Sequence, residues 1–354
     1  MSPKSMKKTI LIAPLNWGLG HVTRCIPIIS ALLENNFNPI IASDGQALLL
    51  LKKEFPDLLA LELPSYQIEY PKNGKNLKWK LFKNSLKTVR AVRQEKKIIA
   101  EWIPEYNING IISDNRLGIY SYKVPSVYIT HQLKVMSGNT TWITSKIHQQ
   151  FIKKYTECWI PDFESEPNLS GKLGHLAKTS LKIKYIGSLS RLNKKDIQIK
   201  YDLMIVLSGL EPQRGLFEAK LKKEVLKYEG KTVFIKGVIE ENQIKKQEGN
   251  VTYYNFMTSK ELEKTFNSSE LILCRAGYTT IMDLAQLQKK AFFVPTPGQF
   301  EQEYLAKYLL QENLIPFATQ DNFKIELLLE IDNYKGLPRK ASQLNWGKLF
   351  QVFE

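Results

Sequence analysis

The sequence is short of cysteine, and its three cysteines, Cys25, Cys158 and Cys274, lie far apart with no CxxC spacing. An odd number of isolated cysteines forms neither a disulfide framework nor a zinc knuckle, and it favours a reducing compartment. Long apolar runs are also missing, because no stretch approaches the roughly 20 apolar residues of a membrane-spanning helix. These absences predict a soluble, cytoplasmic protein.

Low-complexity tracts are absent too, since charged and apolar residues alternate along most of the 354 residues. At roughly 100–200 residues per domain, this length predicts two domains. Short apolar runs alternate with helical patterns in both halves, which is typical of parallel sheets with crossover helices. We predict a first domain over 1–188, a linker over 189–201, a second domain over 202–338 and a C-terminal helix over 339–354 that packs back on the first domain.

Each half is expected to be a Rossmann-like doubly wound parallel sheet of strand order 3-2-1-4-5, and the two halves are expected to face a central cleft. The ligand crevice of such a sheet lies where strands 1 and 4 end side by side. The predicted strands are 10–13, 39–42, 58–61, 110–113, 127–130 and 184–186 in the first half, and 203–207, 232–236, 252–255, 271–274 and 291–294 in the second. The predicted helices include 23–35, 218–227, 260–266, 279–288, 302–312 and 341–353.

In the first half, the loop after strand 1 carries Gly18-x-Gly20-His21. Glycine lets the chain turn sharply there and lets a ligand approach closely, but the third glycine of the dinucleotide fingerprint is missing, so no NAD site is expected. His21 is a candidate base for an acceptor hydroxyl, and Asp114, at the end of strand 4, is a candidate partner that orients it. A hydrogen bond within its own turn for His21, and helix capping for Asp114, are the structural alternatives. His131, after strand 5, is a competing base or an acceptor contact.

In the second half, Arg275-Ala276-Gly277 lies between a strand and a helix that contains Thr280. Free backbone N–H groups and the helix dipole make such a turn an anion site. Asp283 lies one turn further, where it can accept hydrogen bonds from ribose hydroxyls, although a surface carboxylate would look the same. Glu301 and Gln302 begin a later helix and are candidates for binding sugar hydroxyls, although both are also ordinary first-turn residues.

These motifs together resemble the GT-B glycosyltransferases, especially the family of the peptidoglycan N-acetylglucosaminyltransferase of lipid II synthesis. The loop 18–21 is similar to the family's N-terminal glycine loop, residues 274–283 to its donor motif, and residues 295–306 to its proline loop. Three departures mark a divergent member whose acceptor need not be lipid II. Asp283 replaces a longer Glu, Leu305 replaces an Asn, and the loop 208–214 has fewer glycines than the lipid II enzyme.

The resemblance implies a metal-independent, inverting transfer of a hexose or N-acetylhexosamine from a nucleotide sugar to a lipid-linked or other glycan acceptor. A UDP-sugar is the expected donor, and no bound cofactor is expected. The second domain would bind the nucleotide sugar, and the first would bind the acceptor, with Gly18, Gly20 and His131 on the acceptor side. Arg275 would meet the phosphate charge in place of a cation. The remaining implied roles are the diphosphate contact for Ser208, Gly209 and Gly277, the ribose contact for Asp283, the donor sugar for Glu301 and Gln302, and the base for His21.

The net charge of +15 is concentrated in residues 72–97, which hold ten Lys or Arg and one Glu. Helical spacing predicts a basic amphipathic helix there, either solvated on its own domain or bound to an anionic membrane surface at the inner face of the cytoplasmic membrane. Nucleic acid is not expected, because no nucleic-acid motif accompanies the charge. A sugar-nucleotide epimerase of the same fold and a non-enzymatic basic binding protein are the alternative functions. The apolar positions are Trp79, Phe82, Leu86 and Val89, and the basic ones are Lys83, Lys87, Arg90 and Lys97.

Overall fold

The structure is a computed structural model that describes residues 7–17, 19–66, 77–209, 211–338 and 344–354, except for the side chains of residues 77–86. Within these residues the chain forms two α/β units, each built on a mainly parallel sheet, as predicted. None of the helices described combines the length and apolar character needed to cross a bilayer.

The first sheet has seven strands within the described part of the chain, in the order β3-β2-β1-β4-β5-β6-β7, and all its pairs are parallel. The predicted order 3-2-1-4-5 is confirmed, and β6 was missed. Every residue of β1 is buried, as expected for a parallel strand covered on both faces. The strands are β1 Thr9–Pro14, β2 Asn38–Ser43, β3 Ala60–Glu62, β4 Ile108–Asp114, β5 Ser126–Ile129, β6 Glu157–Ile160 and β7 Ile183–Tyr185.

The second sheet has the order β10-β11-β9-β8-β12-β13 within the same described residues. Its five parallel strands repeat the predicted 3-2-1-4-5 order. The missed strand β10 adds an antiparallel edge to β11. The strands are β8 Tyr201–Val206, β9 Thr232–Ile235, β10 Lys245–Glu248, β11 Val251–Tyr254, β12 Ser269–Cys274 and β13 Lys290–Phe293.

The helices lie on the faces of the two sheets and lead from one strand to the next. In the first half they are α1 Gly20–Glu34, α2 Gly45–Glu54, α3 Leu77–Glu105 and α4 Thr141–Ile152. In the second half they are α5 Gln213–Glu224, α6 Ser259–Asn267, α7 Tyr278–Leu287 and α8 Phe300–Gln311, and α9 Trp346–Phe350 ends the chain with a 3-10 turn at Gln351–Phe353.

The two halves meet along the carboxyl ends of their strands. The Thr279 hydroxyl donates a hydrogen bond to the Gly20 carbonyl at 3.0 Å, and the Tyr278 hydroxyl donates one to the Pro161 carbonyl at 2.9 Å. One cluster of buried apolar side chains also extends from the first sheet into the second. The crevice edges of the two sheets therefore face each other.

The C-terminal residues return to the first sheet. The Phe350 ring lies 5.5 Å from the Phe37 ring, and Lys8 Nζ donates to the Phe353 carbonyl at 2.9 Å. A Cβ on Gly110 of β4 would come within 2.4 Å of Phe353, so glycine leaves room for this contact. The helix itself covers only Trp346–Phe350 of the predicted 341–353, and residues 339–343 lie outside the described residues. The domain limits at 188 and 202 stay a prediction.

The predicted basic helix corresponds to α3, which is 29 residues long. Its described buried face includes Ala91, Val92 and Ile99, whereas Val89 is 46% exposed. Val89, placed on the apolar stripe from its spacing, therefore faces solvent beside the exposed Arg90. Residues 72–76 and the side chains of Trp79, Phe82, Lys83 and Leu86 lie outside the described residues.

Candidate functional site

His21 and Asp114 meet where β1 and β4 end side by side. Asp114 is the last residue of β4, His21 lies in the first turn of α1, and His21 Nδ1 is 2.8 Å from Asp114 Oδ1. Burial alone would raise the pKa of Asp114, but the charge of Arg24 and the hydrogen bonds from Arg24 and His21 lower it to about 2. The result is an ionised carboxylate held against an imidazole, which is how a base is oriented in catalytic relays.

Arg24 completes this cluster, although no sequence motif predicted it. It is 1% exposed, and its Nε and Nη2 donate to the two carboxylate oxygens of Asp114. Its Nη2 lies 2.9 Å from His21 Nδ1, and its Nη1 lies 2.9 Å from His131 Nδ1. The available signal was a charge in an apolar helix, three residues after His21 and so on the same helical face.

His131 connects this cluster to the second half of the chain. Its Nε2 lies 2.6 Å from Glu301 Oε1, and its ring stacks on the Tyr278 ring at 4.2 Å between centroids. Burial lowers the pKa of His131. Burial alone would raise the pKa of Glu301, but its interaction with His131 lowers it. The structure thus joins His21, Asp114 and His131 of one half to Glu301 of the other.

Gln302, the second predicted sugar contact, braces its own loop. Its Oε1 accepts from the Thr296 backbone N–H at 2.8 Å, and its Nε2 donates to Gln299 Oε1 at 2.5 Å. The residue is only 9% exposed. Glu301 is different, because 30% of its side chain is exposed. Of the predicted pair, Glu301 is therefore the more available to a ligand.

The loops after β8 and β12 leave open space at the carboxyl edge of the second sheet. Among the described residues, a Cβ added to Gly209 would meet nothing within 4 Å, and one added to Gly277 would meet only the Thr280 hydroxyl at 3.8 Å. Gly209 has φ +105°, a conformation that favours glycine. Ser208 and Thr280 are half-buried beside them. The crevice predicted from the topology is therefore present on this side.

The helix α7 begins at this crevice without a side-chain cap. Its N-cap residue is Gly277, which has no side chain to accept a hydrogen bond from the N–H groups of the first turn. The first N–H groups of a helix have no intrahelical acceptor, and the helix dipole favours a negative charge near them. Ala276 is completely buried beneath this turn. The turn can accept an anionic group through its backbone.

Arg275 has its described contacts inside the second half of the chain. Its Nη1 donates to the carbonyls of Val294 and Pro295 at 3.0 and 3.1 Å, and its guanidinium lies 3.9 Å from the Phe217 ring centroid. Its Nη2 donates to Gln320 Oε1 at 2.6 Å. Burial lowers the pKa of Arg275 to about 9. These contacts tie the loops after β12 and β13 to α5, and the phosphate contact expected for Arg275 stays a prediction.

Asp283 is 8% exposed and lies against the connection between the two sheets. Its Oδ1 accepts the Ser190 hydroxyl at 2.6 Å. Burial raises the pKa of Asp283 to about 6, although Arg191 and the Ser190 hydrogen bond act in the opposite direction. Asp283 is thus a buried carboxylate with few described donors, close to the open loops.

A second buried ion cluster supports the first sheet's crevice edge, and it too was missed. Arg116, two residues after the end of β4, is fully buried and pairs with Asp44 and, at 2.8 Å, with Glu95. Its Nε donates to the Pro14 carbonyl at 3.0 Å. Tyr66 donates to Glu95 Oε2 at 2.7 Å. The cluster joins the ends of β1, β2 and β4 to α3.

Of the two glycines predicted for the acceptor side, Gly18 lies outside the described residues. Gly20 begins α1, and a Cβ there would lie 3.0 Å from the Thr279 hydroxyl of the facing half. Within the described parts of the chain, no group of three or more His, Cys, Asp or Glu is arranged to hold a metal ion, and we assign no metal ligands.

Residues 210–331 match the glycosyltransferase family 28 C-terminal domain. A curated relative from Buchnera aphidicola (subsp. Schizaphis graminum) is the UDP-N-acetylglucosamine–N-acetylmuramyl-(pentapeptide) pyrophosphoryl-undecaprenol N-acetylglucosamine transferase. It is 25% identical over 288 residues, which cover 76% of this chain and 72% of the relative.

Solved structures share the fold over nearly the whole chain. MurG of Acinetobacter baumannii superposes with a TM-score of 0.56 at 13% identity, covering 98% of this chain and 99% of MurG. A putative UDP-N-acetylglucosamine 2-epimerase of Listeria monocytogenes gives a TM-score of 0.62 at 11% identity, covering 98% of this chain and 95% of the epimerase. At such identities the likeness describes the fold alone.

Proposed function

Because this chain is a glycosyltransferase of the GT-B fold, related to the lipid II N-acetylglucosamine transferases, we propose that it moves a hexose or N-acetylhexosamine from a nucleotide sugar to a glycan acceptor. The observation that carries the proposal is the His21–Asp114 dyad, which faces the open glycine loops of the second half across the crevice. One wall offers a base and the other offers space for an anionic donor.

The donor is proposed to bind the second half, with its diphosphate over Gly209 and Gly277. The open space at both glycines and the uncapped start of α7 support this placement. The expected base is uracil, because the curated relative from Buchnera aphidicola is named for a UDP-sugar. In this arrangement backbone N–H groups meet the phosphate charge, and Arg275 holds the surrounding loops. A magnesium-independent reaction is part of the proposal.

The acceptor is proposed to meet His21. All side-chain hydrogen bonds of His21 within the described part of the chain involve Nδ1, so Nε2 is the ring nitrogen proposed to take the acceptor proton. The acceptor oxygen then bonds to the anomeric carbon. The bond from that carbon to the phosphate oxygen breaks, and its electron pair leaves on the nucleoside diphosphate. Attack on the face opposite the leaving group inverts the anomeric carbon.

The acceptor is proposed to be lipid-linked, with the enzyme at the inner face of the cytoplasmic membrane. The relative's name includes pyrophosphoryl-undecaprenol, a lipid carrier. Here α3 presents Arg90, Arg93, Lys96 and Lys97 as exposed side chains, a basic surface on the acceptor half. Anionic headgroups attract such basic segments by about 1 kcal/mol per Lys or Arg.

A thermal-shift panel tests the donor site first. UDP, GDP, dTDP, CDP and ADP are each added with and without magnesium, and tenfold excess over Kd stabilises by about 1.4 kcal/mol. A magnesium-independent shift with UDP is the expected result. No shift with any nucleotide would remove the donor site from the proposal.

The reaction is then followed by mass spectrometry with the matching nucleotide sugars. Without acceptor, a transferase leaves the sugar nucleotide largely intact, whereas an epimerase of this fold converts it. With an undecaprenyl-pyrophosphoryl glycan as acceptor, a product heavier by one sugar residue is expected. Conversion of the sugar nucleotide in the absence of acceptor would contradict the transferase proposal.

A further inference from the structure

Arg24 is placed to decide which nitrogen of His131 carries a proton. Its guanidinium is buried, keeps its charge in proteins and has only donors. Nε and Nη2 donate to Asp114, which leaves Nη1, 2.9 Å from His131 Nδ1. Within the described residues Arg24 is the hydrogen-bond partner of His131 Nδ1, and a group that can only donate requires an acceptor, so this nitrogen presents its lone pair. His21 Nδ1 is different, because the Asp114 carboxylate, which can only accept, lies 2.8 Å from it and takes its hydrogen.

The other ring nitrogen of His131 must then carry the hydrogen. A neutral imidazole has one donor nitrogen and one acceptor nitrogen. With Nδ1 accepting, Nε2 donates, and it lies 2.6 Å from Glu301 Oε1. A doubly protonated ring would point an N–H at the N–H of Arg24. Burial, which lowers the pKa of His131, also opposes that form.

His131 in turn holds the Glu301 carboxylate from the opposite half. Oε1 of Glu301 accepts from His131, and Oε2 accepts from the Gln132 side-chain amide. The His131 ring is fixed in its plane by Tyr278, whose ring is parallel to within 5°. Both carboxylate oxygens are thus positioned by residues 131 and 132, while 30% of the Glu301 side chain is still exposed.

We propose that Arg24 is a positioning residue that fixes His131 as a hydrogen-bond donor and so orients Glu301 for the donor sugar. The sugar role of Glu301 rests on the proposed function. The donor-sugar site is then composite, because a carboxylate of the second half is aimed by side chains of the first. His131 has no free lone pair in this arrangement, so the base is His21.

Imidazole ¹⁵N NMR on the ligand-free full-length protein tests the tautomer directly. The chain has four histidines, and His→Gln variants assign them. At pH 7 we expect His131 as the neutral Nε2–H form. The Nδ1–H form or a doubly protonated ring in the wild type would overturn the proposal. This measurement does not depend on any transferase activity.

Two variants then isolate Arg24. Arg24→Met with Asp114→Asn removes both buried charges together, and Asp114→Asn alone keeps the guanidinium as the matched control. We expect the control to retain the Nε2–H signature of His131 and the double variant to show a tautomer mixture. Thermal melting confirms that both are folded. An unchanged His131 signature in the folded double variant would show that Arg24 does not set the tautomer.

Substitutions of His131 separate a donor from a base. In His131→Gln the amide N–H replaces Nε2–H, whereas His131→Phe keeps a ring against Tyr278 and removes the donor. We expect the Gln variant to keep kcat within about tenfold, and the Phe variant to raise the donor KM by about tenfold or more, since hydrogen bonds to charged groups are the stronger ones. If both variants lost kcat equally, by about 10²–10⁴-fold, His131 would be a base and the proposal would fail. Absence of transfer in the wild type would count against the proposed function instead, leaving the NMR result to decide the tautomer.

Discussion

The crevice has a first wall, formed by the first half of the chain, and a second wall, formed by the second half. The two walls satisfy their buried charges in opposite ways. On the first wall, the buried Asp114 has Arg24 and His21 as partners, and its pKa is lowered to about 2. On the second wall, the buried Asp283 has the Ser190 hydroxyl within hydrogen-bond distance, and burial raises its pKa to about 6. On the first wall, both carboxylate oxygens of Asp114 accept hydrogen bonds without a ligand. On the second wall, the buried Asp283 carboxylate has a single described hydrogen bond, from Ser190.

The glycines repeat this contrast. Gly20, on the first wall, has the Thr279 hydroxyl 3.0 Å from where a Cβ would lie, whereas Gly209 and Gly277, on the second, face open space. A base must be held in place before the acceptor arrives, which requires an assembled environment. A donor-binding wall instead keeps its space and its N–H groups for the ligand. The difference supports the proposed roles, in which the first wall is preorganised for the acceptor and the second is completed by the donor.

The largest expected effect comes from breaking the first wall with Asp114→Asn. His21 loses its orienting carboxylate, and we expect the transfer rate to fall by about 10²–10⁴-fold. Arg24 stays buried without its counter-charge, which costs about 3–5 kcal/mol of unfolding free energy. Steady-state kinetics and urea unfolding measure the two losses.

Asp44→Asn is the matched control for this variant. Asp44 is a buried aspartate of the same half, and its partner Arg116 retains Glu95. We expect a loss of stability without the large fall in kcat. Equal losses of kcat in both variants would mean that the dyad has no special role and that any buried charge in this half matters equally.

The second prediction concerns Asp283→Asn and depends on pH. Because the folded pKa of about 6 lies above the ordinary 3.8, the native state holds this proton more tightly than the unfolded state. Stability is therefore lost as the pH rises from about 4 to about 6 and stays lower above that. Asparagine cannot ionise, so the variant should be more stable above pH 6, by at most about 3 kcal/mol, and show no gain near pH 4.

Urea unfolding at pH 4, 6 and 8 measures this gain, with exposed Asp321→Asn as the control in the same half. For Asp114 the sign is opposite, since its lowered pKa contributes stability above about pH 4 that is lost as the pH falls toward 2. A gain for Asp283→Asn that is the same at all three pH values would remove the electrostatic difference between the walls. Reduced UDP affinity in this variant would add support for the ribose contact.

The third prediction fills the open space with Gly277→Val. The backbone at Gly277 has φ −78° and ψ 137°, which a β-branched residue adopts without strain. We expect stability to change by less than about 0.5 kcal/mol. Nucleotide affinity should fall by about 10–100-fold, as overpacking of 1–3 kcal/mol implies. Isothermal calorimetry with UDP measures the affinity.

Gly20→Val is the counterpart on the first wall. Its side chain would press on Thr279 across the crevice, so we expect it to lower stability more than nucleotide affinity. The two glycine variants should therefore show opposite patterns. Similar patterns in both would mean that the walls are equally packed in solution.

The strand order and crevice edges were predictable because parallel buried strands appear as apolar runs between helical patterns. The missed strands lacked that signal. β10 has the sequence Lys-Lys-Gln-Glu and is exposed along its length, since it pairs at an edge with β11. β6 is only four residues long, and a partly exposed Glu157 begins it. Pairing with neighbours, rather than composition, makes both of them strands.

The meeting of His21 and Asp114 at the crevice edge was predictable, because motif and topology agreed there. Contacts made by long side chains were not, because spacing does not say where a guanidinium ends. Arg275 lies in the predicted loop yet stacks on Phe217, and Arg24 appeared to be one more residue of an apolar helix. Glu301 and His131 are 170 positions apart in the sequence, and they meet because the two halves of the chain face each other.

The smallest expected effect concerns the exposed basic side chains of α3, through which the acceptor half is proposed to contact the membrane. Neutralising one positive charge on α3 should therefore weaken binding to anionic vesicles. Neutralising one positive charge on the donor half should not. Arg90→Gln and Lys223→Gln are matched, because both side chains are exposed on helices of opposite halves. One charge near an anionic surface contributes about 1 kcal/mol, so Arg90→Gln should lower partitioning by about fivefold in low salt. Flotation with phosphatidylglycerol-containing vesicles measures this, and the difference should shrink as salt screens the surface. Equal weakening by both variants would mean that the attraction follows net charge and that the basic surface of α3 does not orient the acceptor half toward the membrane.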